Sequence, residues 1–346
     1  MLYNCGESGM SENSIGIGYL LANVPSLTVA RTRADLAKAD WIGVSAMAAG
    51  LKEACEIAVE HGERVPVVLG GQGALWAGAK QYPFWDVVRG EGEHYLLYVL
   101  HGQYSDNPMN KPPDIRKMYY APVRDLDDLK PPILGKCSGG IPLVTSRGCP
   151  FRCAFCSSAQ FWGRKPRFHS AEYVIDYVLS LATQYPRCHL LWILDDLATA
   201  NKKRWLEIAR LWHENDLHKR FVLRLNMRAD LFTEDMAAVL RDMGTEHVSV
   251  GLESGSDRVL KLMNKQTTVA DNQRAVDVGN RAGVPVRGFI IRGFPGETDA
   301  DWRETGNFLA RNRGKMLPPS IFTYAPFPGC AAYAGENPLE RTMETV

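Results

Sequence analysis

Three cysteines stand within eight residues of one another in "TSRGCPFRCAFCSSAQ" (145–160): Cys149, Cys153 and Cys156. A thiolate is a nucleophile, a redox group or a metal ligand, and the pattern of its neighbours decides which. A structural zinc site normally closes with four ligands, often from two Cys-x-x-Cys pairs, and no second pair occurs in this chain. An iron–sulfur cluster held by only three thiolates leaves one iron without a protein ligand, free to coordinate a small molecule. Two other readings stay open on spacing alone: a zinc site completed by a distant histidine, and a chance group of core thiols. The other five cysteines, Cys5, Cys55, Cys137, Cys188 and Cys330, are odd in number and dispersed. They do not form a disulfide framework and read as buried thiols.

The elements that must position this group follow from periodicity. From the N-terminus, "MLYNC", "SLTVART", "WIGVSAMA", "VPVVLGG" and "FWDVV" read as strands, and "IGIGYLLANV", "RADLAKA", "LKEACEIAVEHG" and "HYLLYVLHG" as helices. Such alternation predicts a parallel sheet with helices on both faces, a doubly wound Rossmann-like α/β domain over residues 1–101. Ligands of such sheets sit beyond the carboxyl ends of the strands. Residues 102–141 are rich in proline, glycine and charge and read as an interdomain linker. The alternation resumes over 142–330, with "IPLVTS", "HLLWILDD", "FVLRLN", "HVSVGLE", "VRGFIIRG" and "SIFTYAP" as strands and helices between them. Six β/α units in a row predict a partial (β/α)6 barrel, whose site belongs at the carboxyl ends of its strands. The cysteine group follows the first of them. A short tail, 331–346, completes the chain.

Composition narrows the classes. A formal net charge of +1 carries no basic excess of the kind a dedicated nucleic-acid surface shows. Apolar residues at 45% and charged residues at 23% are those of a globular protein. No apolar run reaches the length of about 18 residues that would suggest a membrane span. The N-terminus lacks a basic n-region, so no signal peptide and a cytoplasmic location are expected.

Cys-x3-Cys-x-aromatic-Cys after the first strand of a barrel resembles the radical S-adenosylmethionine (SAM) superfamily. The resemblance implies a [4Fe–4S] cluster on Cys149, Cys153 and Cys156, with SAM chelating the open iron and cleaved on reduction to a 5′-deoxyadenosyl radical. It implies Phe155 beside the adenine. "ILDDLATANKKRW" is similar to the second-strand segment and offers Asp195 and Asp196 to the SAM ammonium, with Asn201 equally a helix cap. "RLNMRAD" offers Asn226 and Arg228, with Arg224, to the SAM carboxylate; a salt bridge to a barrel acid is the other reading of such an arginine. "VSVGLESGSDRVLKLMNK" is similar to the fourth-strand segment and offers Glu253 and Ser254 to the ribose and methionyl end. Ser256 there is read as a helix cap, and Lys265 as a solvated lysine or one facing substrate. "GFIIRGFPGET" is similar to the fifth-strand pattern and offers Ile291 and Gly293 to the adenine, with Glu297 holding the turn. In "TYAPFPGCAAYA", Cys330 stands where the family often has threonine, and reads as an ordinary small buried residue.

The first domain resembles the cobalamin-binding domain that precedes the barrel in one radical SAM subfamily, through "ADWIGVSAMA", "VPVVLGGQGALW" and "WDVVRGEGEHYLLYVL", and "APVRDLDDLKPP" is similar to that subfamily's linker. The resemblance implies bound cobalamin, with Gly70, Gly71, Gly73, Gly90 and Gly92 lining the nucleotide tail. The same glycines also suit ordinary strand-to-helix turns. No Asp-x-His-x-x-Gly motif occurs, so no histidine is expected below the cobalt. The implied activity is methylation of an unactivated carbon of a peptide or small-molecule substrate, through the deoxyadenosyl radical and methylcobalamin, with an electron donor such as flavodoxin or ferredoxin. Two alternatives are kept: a radical rearrangement or cyclisation without methyl transfer, and a non-catalytic cobalamin- or cluster-binding sensor.

Overall fold

The computed structural model describes residues 1–5, 14–75, 83–100, 122–136, 139–327 and 330–332. The chain divides into two compact units, the first over Met1–Cys137 and the second over Ser138–Ala334 save Gln160–Trp162.

The first unit carries a parallel sheet of β1 (Leu2–Cys5), β2 (Ile42–Ala46), β3 (Val67–Gly70) and β4 (Asp86–Val87), paired in that order. The runs IGVSA and VVLG are almost entirely buried, as central parallel strands covered on both faces must be. Val29 bridges Leu2 on the free side of β1. The expected strand at "SLTVART" is therefore reduced to one bridge, and the expected helix at "RADLAKA" is a 3-10 turn over Arg33–Lys38.

Counting Val29, the chain steps to one side of β1 and then back across it to β2. This reversal makes the sheet doubly wound, and its switch point lies where Cys5 pairs with Ala46. Helices α1 (Ile15–Asn23), α2 (Leu51–His61) and α3 (Glu93–Leu100) cover both faces. Side chains alternate accordingly: Val68 packs with Ile17, Tyr95 and Leu96, whereas Val67 and Leu69 pack with Leu51, Ala54 and Ile57.

The expected linker lies largely outside the described residues. Its described part is fastened to α1. Ile133 N–H donates to the Gly18 carbonyl at 3.1 Å, Lys130 N–H to Asn23 Oδ1 at 2.9 Å, and Leu126 is fully buried.

The second unit is a six-stranded parallel sheet ordered β12-β11-β10-β9-β8-β5. The strands are β5 (Ile141–Leu143), β8 (Leu190–Ile193), β9 (Val222–Arg228), β10 (Thr245–Glu253), β11 (Val286–Arg292) and β12 (Leu317–Thr323). Chain order and spatial order agree throughout, which is how successive right-handed β/α units wind a barrel wall. A short antiparallel pair, β6 (Ser146–Arg147) with β7 (Arg167–Phe168), brackets the cysteine segment.

Most of the longer intervening helices start at side-chain caps. Helix α4 (Ser158–Trp162) follows the cysteines, and α5 (Ala171–Gln184) is capped by Ser170 and α6 (Lys202–Glu214) by Asn201. After α7 (Leu217–Arg220) come α8 (Glu234–Asp242), capped by Thr233, and α9 (Asp257–Leu262). Helices α10 (Val269–Ala282) and α11 (Asp299–Arg311) open on reciprocal boxes, Thr268 with Asp271 and Thr298 with Asp301. Asn201 is thus a cap. Among the described residues no helix is long and apolar enough to cross a membrane.

Candidate cofactor site at the carboxyl ends of the barrel strands

The cysteine segment leaves β6 at Gly148, whose φ of +90° turns the chain. Four ties from other segments hold it. Ala154 N–H donates to the Met263 carbonyl at 2.7 Å, and Ala332 N–H to the Ala154 carbonyl at 2.9 Å. Asn264 Nδ2 donates to the Arg152 carbonyl at 2.8 Å, and the Cys330 thiol to the Phe155 carbonyl at 3.1 Å. Cys330 is buried, as expected of it, and burial pushes its thiol up to about 11.

Each of the three grouped thiols meets its own N–H donor. Phe151 N–H faces Cys149, Arg228 Nη1 lies 3.6 Å from Cys153 Sγ, and Ser158 N–H lies 3.4 Å from Cys156 Sγ. Burial, with the nearby Asp196 charge, raises the unligated Cys149 and Cys156 thiols. Among the described residues no three His, Cys, Asp or Glu side chains converge on a single metal ion. Each sulfur has a donor that favours the thiolate, the form in which cysteines hold an iron–sulfur cluster.

The acids at the end of β8 divide the roles expected of them. Asp195 is 1% exposed. Its carboxylate accepts from Thr145 N–H at 2.6 Å, Thr145 Oγ1 at 2.6 Å and Ser146 Oγ at 2.7 Å. Burial pushes its carboxyl above the usual range, against these donors and the Arg204 charge. Asp195 therefore clamps the start of the cysteine segment, with its oxygens engaged inside the wall by Thr145 and Ser146. Asp196 points the other way, exposed, accepting from Gly148 N–H at 3.2 Å and lying beside the Ser158 side chain.

On β9, Arg224 pairs with Glu246, the salt-bridge alternative. Asn226 is half-buried beside Ser249 of β10 and has no side-chain hydrogen bond among the described residues. Arg228 is buried, and its guanidinium lies over the Phe151 ring at 3.5 Å from the centroid.

On β10, Glu253 takes a φ of +59° and forms a buried ion pair with Lys265 Nζ at 2.8 Å. Lys265 is thus not solvated. Gly251 makes this pair possible, since a Cβ there would sit 2.4 Å from Glu253 Oε1. Ser254, fully buried, shares a hydrogen bond of 3.1 Å with Thr305 Oγ1. Its hydroxyl faces α11 within the core. Ser256 occupies an N-cap position without capping; its hydroxyl donates to Asp301 at 2.9 Å instead.

On β11, Ile291 and Phe155 join one apolar group with Ala154, Val259, Met263, Phe294 and Tyr324. Gly293 (φ +79°) has open space where a Cβ would be, and Glu297 holds its N–H, the turn role expected of Glu297. The wall thus brings Phe155, Asp196, Asn226, Ile291 and Gly293 to its carboxyl ends, while Asp195, Ser254 and Arg228 work inside the protein. Sequence reasoning missed the clamp partners Thr145 and Ser146 and the pairing of Lys265 with Glu253; their signal is a tertiary contact, not a motif.

In the first unit, Gly70 closes β3 with no atom closer than 3.9 Å to a built Cβ. Gly71 (φ +79°) and Gly73 press on β2: their Cβ positions lie 2.8 and 2.7 Å from the Ala46 carbonyl oxygen. The space their missing side chains leave is filled by the protein's own backbone, so both glycines serve strand-end packing. Gly90 (φ +114°) turns the chain after β4, and a Cβ at Gly92 would lie 3.4 Å from the Leu20 side chain.

An open wall of six parallel strands with a three-thiol segment after the first defines a radical SAM barrel. The family model described as the radical SAM superfamily matches residues 143–309. An uncharacterized methyltransferase of Pyrococcus horikoshii is 30% identical over 380 residues, covering 97% of this chain and 81% of that one. An anaerobic magnesium-protoporphyrin IX monomethyl ester cyclase of Rubrivivax gelatinosus is 26% identical over 330 residues, covering 86% of this chain and 59% of that one. Among solved structures, the radical SAM methyltransferase TsrM of Kitasatospora setae, with cobalamin and a [4Fe–4S] cluster bound, matches with a TM-score of 0.71. That match has 18% identity and covers 96% of this chain and 73% of that one, so the likeness is one of fold. The chain belongs to the radical SAM superfamily.

Proposed function

We propose that this chain is a cobalamin-dependent radical SAM methyltransferase acting on an unactivated carbon of a peptide or small-molecule substrate, supplied with electrons by a flavodoxin- or ferredoxin-like donor in the cytoplasm. The observation that carries this reading is the joining in one chain of a three-thiol barrel to a doubly wound sheet with a clear switch point at Cys5 and Ala46. The relative named as a methyltransferase spans nearly all of this chain and supports the same reading.

Cys149, Cys153 and Cys156 would hold the cluster. Asp196 and Asn226 would receive the polar end of SAM, and Phe155, Ile291 and Gly293 would flank its adenine. Phe155 and Ile291 keep water from that side of the site, which strengthens the polar contacts opposite. Gly70, where a Cβ would make only an ordinary contact with the Val44 carbonyl at 3.9 Å, is the strand-end glycine of the first unit best suited to a large planar ligand. Cobalamin, when bound, supplies methyl-transfer chemistry that amino-acid side chains lack.

The test is anaerobic reconstitution with iron, sulfide and hydroxocobalamin, followed by visible spectroscopy and a SAM-cleavage assay under reductant. A bound corrinoid, with both 5′-deoxyadenosine and S-adenosylhomocysteine formed, is the expected result. Deoxyadenosine alone, with corrinoid bound, would favour the non-methylating chemistry named for the Rubrivivax relative. Deoxyadenosine without corrinoid would sink the cobalamin reading, and absence of an iron–sulfur spectrum would sink the whole.

A further inference from the structure

The guanidinium of Arg228 is engaged on all sides. Its side chain is 6% exposed, and Nε donates to Asp230 Oδ1 at 3.0 Å. Nη2 donates to the Lys265 carbonyl at 2.7 Å and lies 3.4 Å from Asp230 Oδ2. Nη1 reaches Cys153 Sγ at 3.6 Å, and the plane covers the Phe151 ring, 3.5 Å from its centroid. Two of the nitrogens are thus held by Asp230 and the Lys265 carbonyl, and the fork presents the third to the sulfur. A carboxylate arriving from SAM would have to displace Asp230 to claim a bidentate grip.

We propose that Arg228 is a positioning residue of the cluster and not a SAM ligand: it fixes Cys153 and Phe151 and, through its charge and its N–H···S bond, raises the cluster's reduction potential. The proposal rests on assigning the cluster to Cys149, Cys153 and Cys156. Three thiolates make the assembly anionic, and the electron it accepts adds to that charge. A fixed cation and a hydrogen bond to sulfur stabilise the reduced form more than the oxidised one. Asp230 opposes part of this by neutralising the guanidinium, so the two side chains act on the potential with opposite sign. Lysine would retain the charge but neither the fork nor the stacked plane.

The experiment compares wild type with Arg228→Gln, Arg228→Lys and Asp230→Asn, each reconstituted anaerobically. The readouts are iron and sulfide content, the midpoint potential from titration with titanium(III) citrate followed by electron paramagnetic resonance, and SAM affinity for the oxidised protein. Titanium(III) supplies one electron to the cluster and is itself oxidised to titanium(IV). The expected result is a negative shift of the midpoint in Arg228→Gln, a smaller negative shift in Arg228→Lys, and a positive shift in Asp230→Asn, with SAM affinity held. If Arg228→Gln cannot assemble a cluster, the opposite signs in Arg228→Lys and Asp230→Asn still decide. Loss of a charge-assisted pair to the SAM carboxylate would weaken SAM binding about tenfold or more. That weakening with an unmoved midpoint would falsify the proposal, as would midpoints equal to wild type in Arg228→Lys and Asp230→Asn. A wild-type chain that assembles no cluster would instead remove the assignment on which the proposal rests, and the proposal with it.

Discussion

The two units secure their strand ends by different means. In the barrel, side chains tie one segment to another: Asp195 holds Thr145 and Ser146, Lys265 holds Glu253, and Ser254 meets Thr305. In the first unit, backbone meets backbone. A Cβ at Gly50 would lie 2.4 Å from the Cys5 carbonyl oxygen, and those of Gly71 and Gly73 lie almost as close to Ala46. Cross-tied acids and hydroxyls leave Asn226 without a side-chain partner among the described residues and Asp196 exposed beside the Gly148 N–H. Close-packed glycines leave shape alone. The barrel end therefore suits a ligand recognised by charge and hydrogen bonds, and the first unit one recognised by fit.

The largest expected effect separates the units outright. Replacing any one of Cys149, Cys153 or Cys156 by alanine should abolish the iron–sulfur absorption and bring SAM cleavage to background, while corrinoid uptake by the first unit persists. Loss of both together would break the distinction.

Next comes the clamp. In Asp195→Asn an amide N–H₂ must face hydroxyl and amide donors, and the nearby Arg204 charge loses a favourable electrostatic neighbour. Denaturant unfolding of the barrel should show a loss of about 3 kcal/mol. An unchanged midpoint would show that the clamp is dispensable.

The neighbouring glycines sharpen the contrast. Gly71→Ala forces a side chain to φ +79° against Ala46 and should cost about 1–3 kcal/mol of stability. Gly70→Ala should leave the melting temperature unmoved yet weaken corrinoid binding, seen by spectral titration. Equal melting losses in the two variants would erase the assignment of Gly70 to the ligand side.

The smallest effect concerns pH. Burial, then the Arg287 charge, lowers the pKa of His247, while Glu246 opposes the shift. Below the unfolded value of about 6.5 the unfolded chain takes up a proton that the folded one resists, so stability falls on acidification through that window. His247→Gln should flatten the fall in unfolding midpoint between pH 7 and 5, and an unaltered slope would assign it to other groups.

Much of this was determined by sequence alone. Alternating apolar runs announce two α/β units, and Cys149, Cys153 and Cys156 announce their chemistry, because a thiol's reactivity travels with the residue type and three in one turn need no distant partner to be recognised. Asn201 as a cap and Glu297 at its turn were legible for the same reason, being local. What tertiary structure decided was direction. Asp195 and Asp196 are adjacent in the chain, yet the strand pleat sends one into the wall and the other to the mouth, and only the position of Thr145 some fifty residues away shows which. Arg228 carries the right charge for a carboxylate, but Asp230, Phe151 and Cys153 surround it. Gly70, Gly71 and Gly73 read alike as letters; a Cβ would press on the Ala46 carbonyl at the last two and make only an ordinary 3.9 Å contact with the Val44 carbonyl at the first. A residue's type states what it can do, and the fold, by choosing its neighbours, settles which of those things it does.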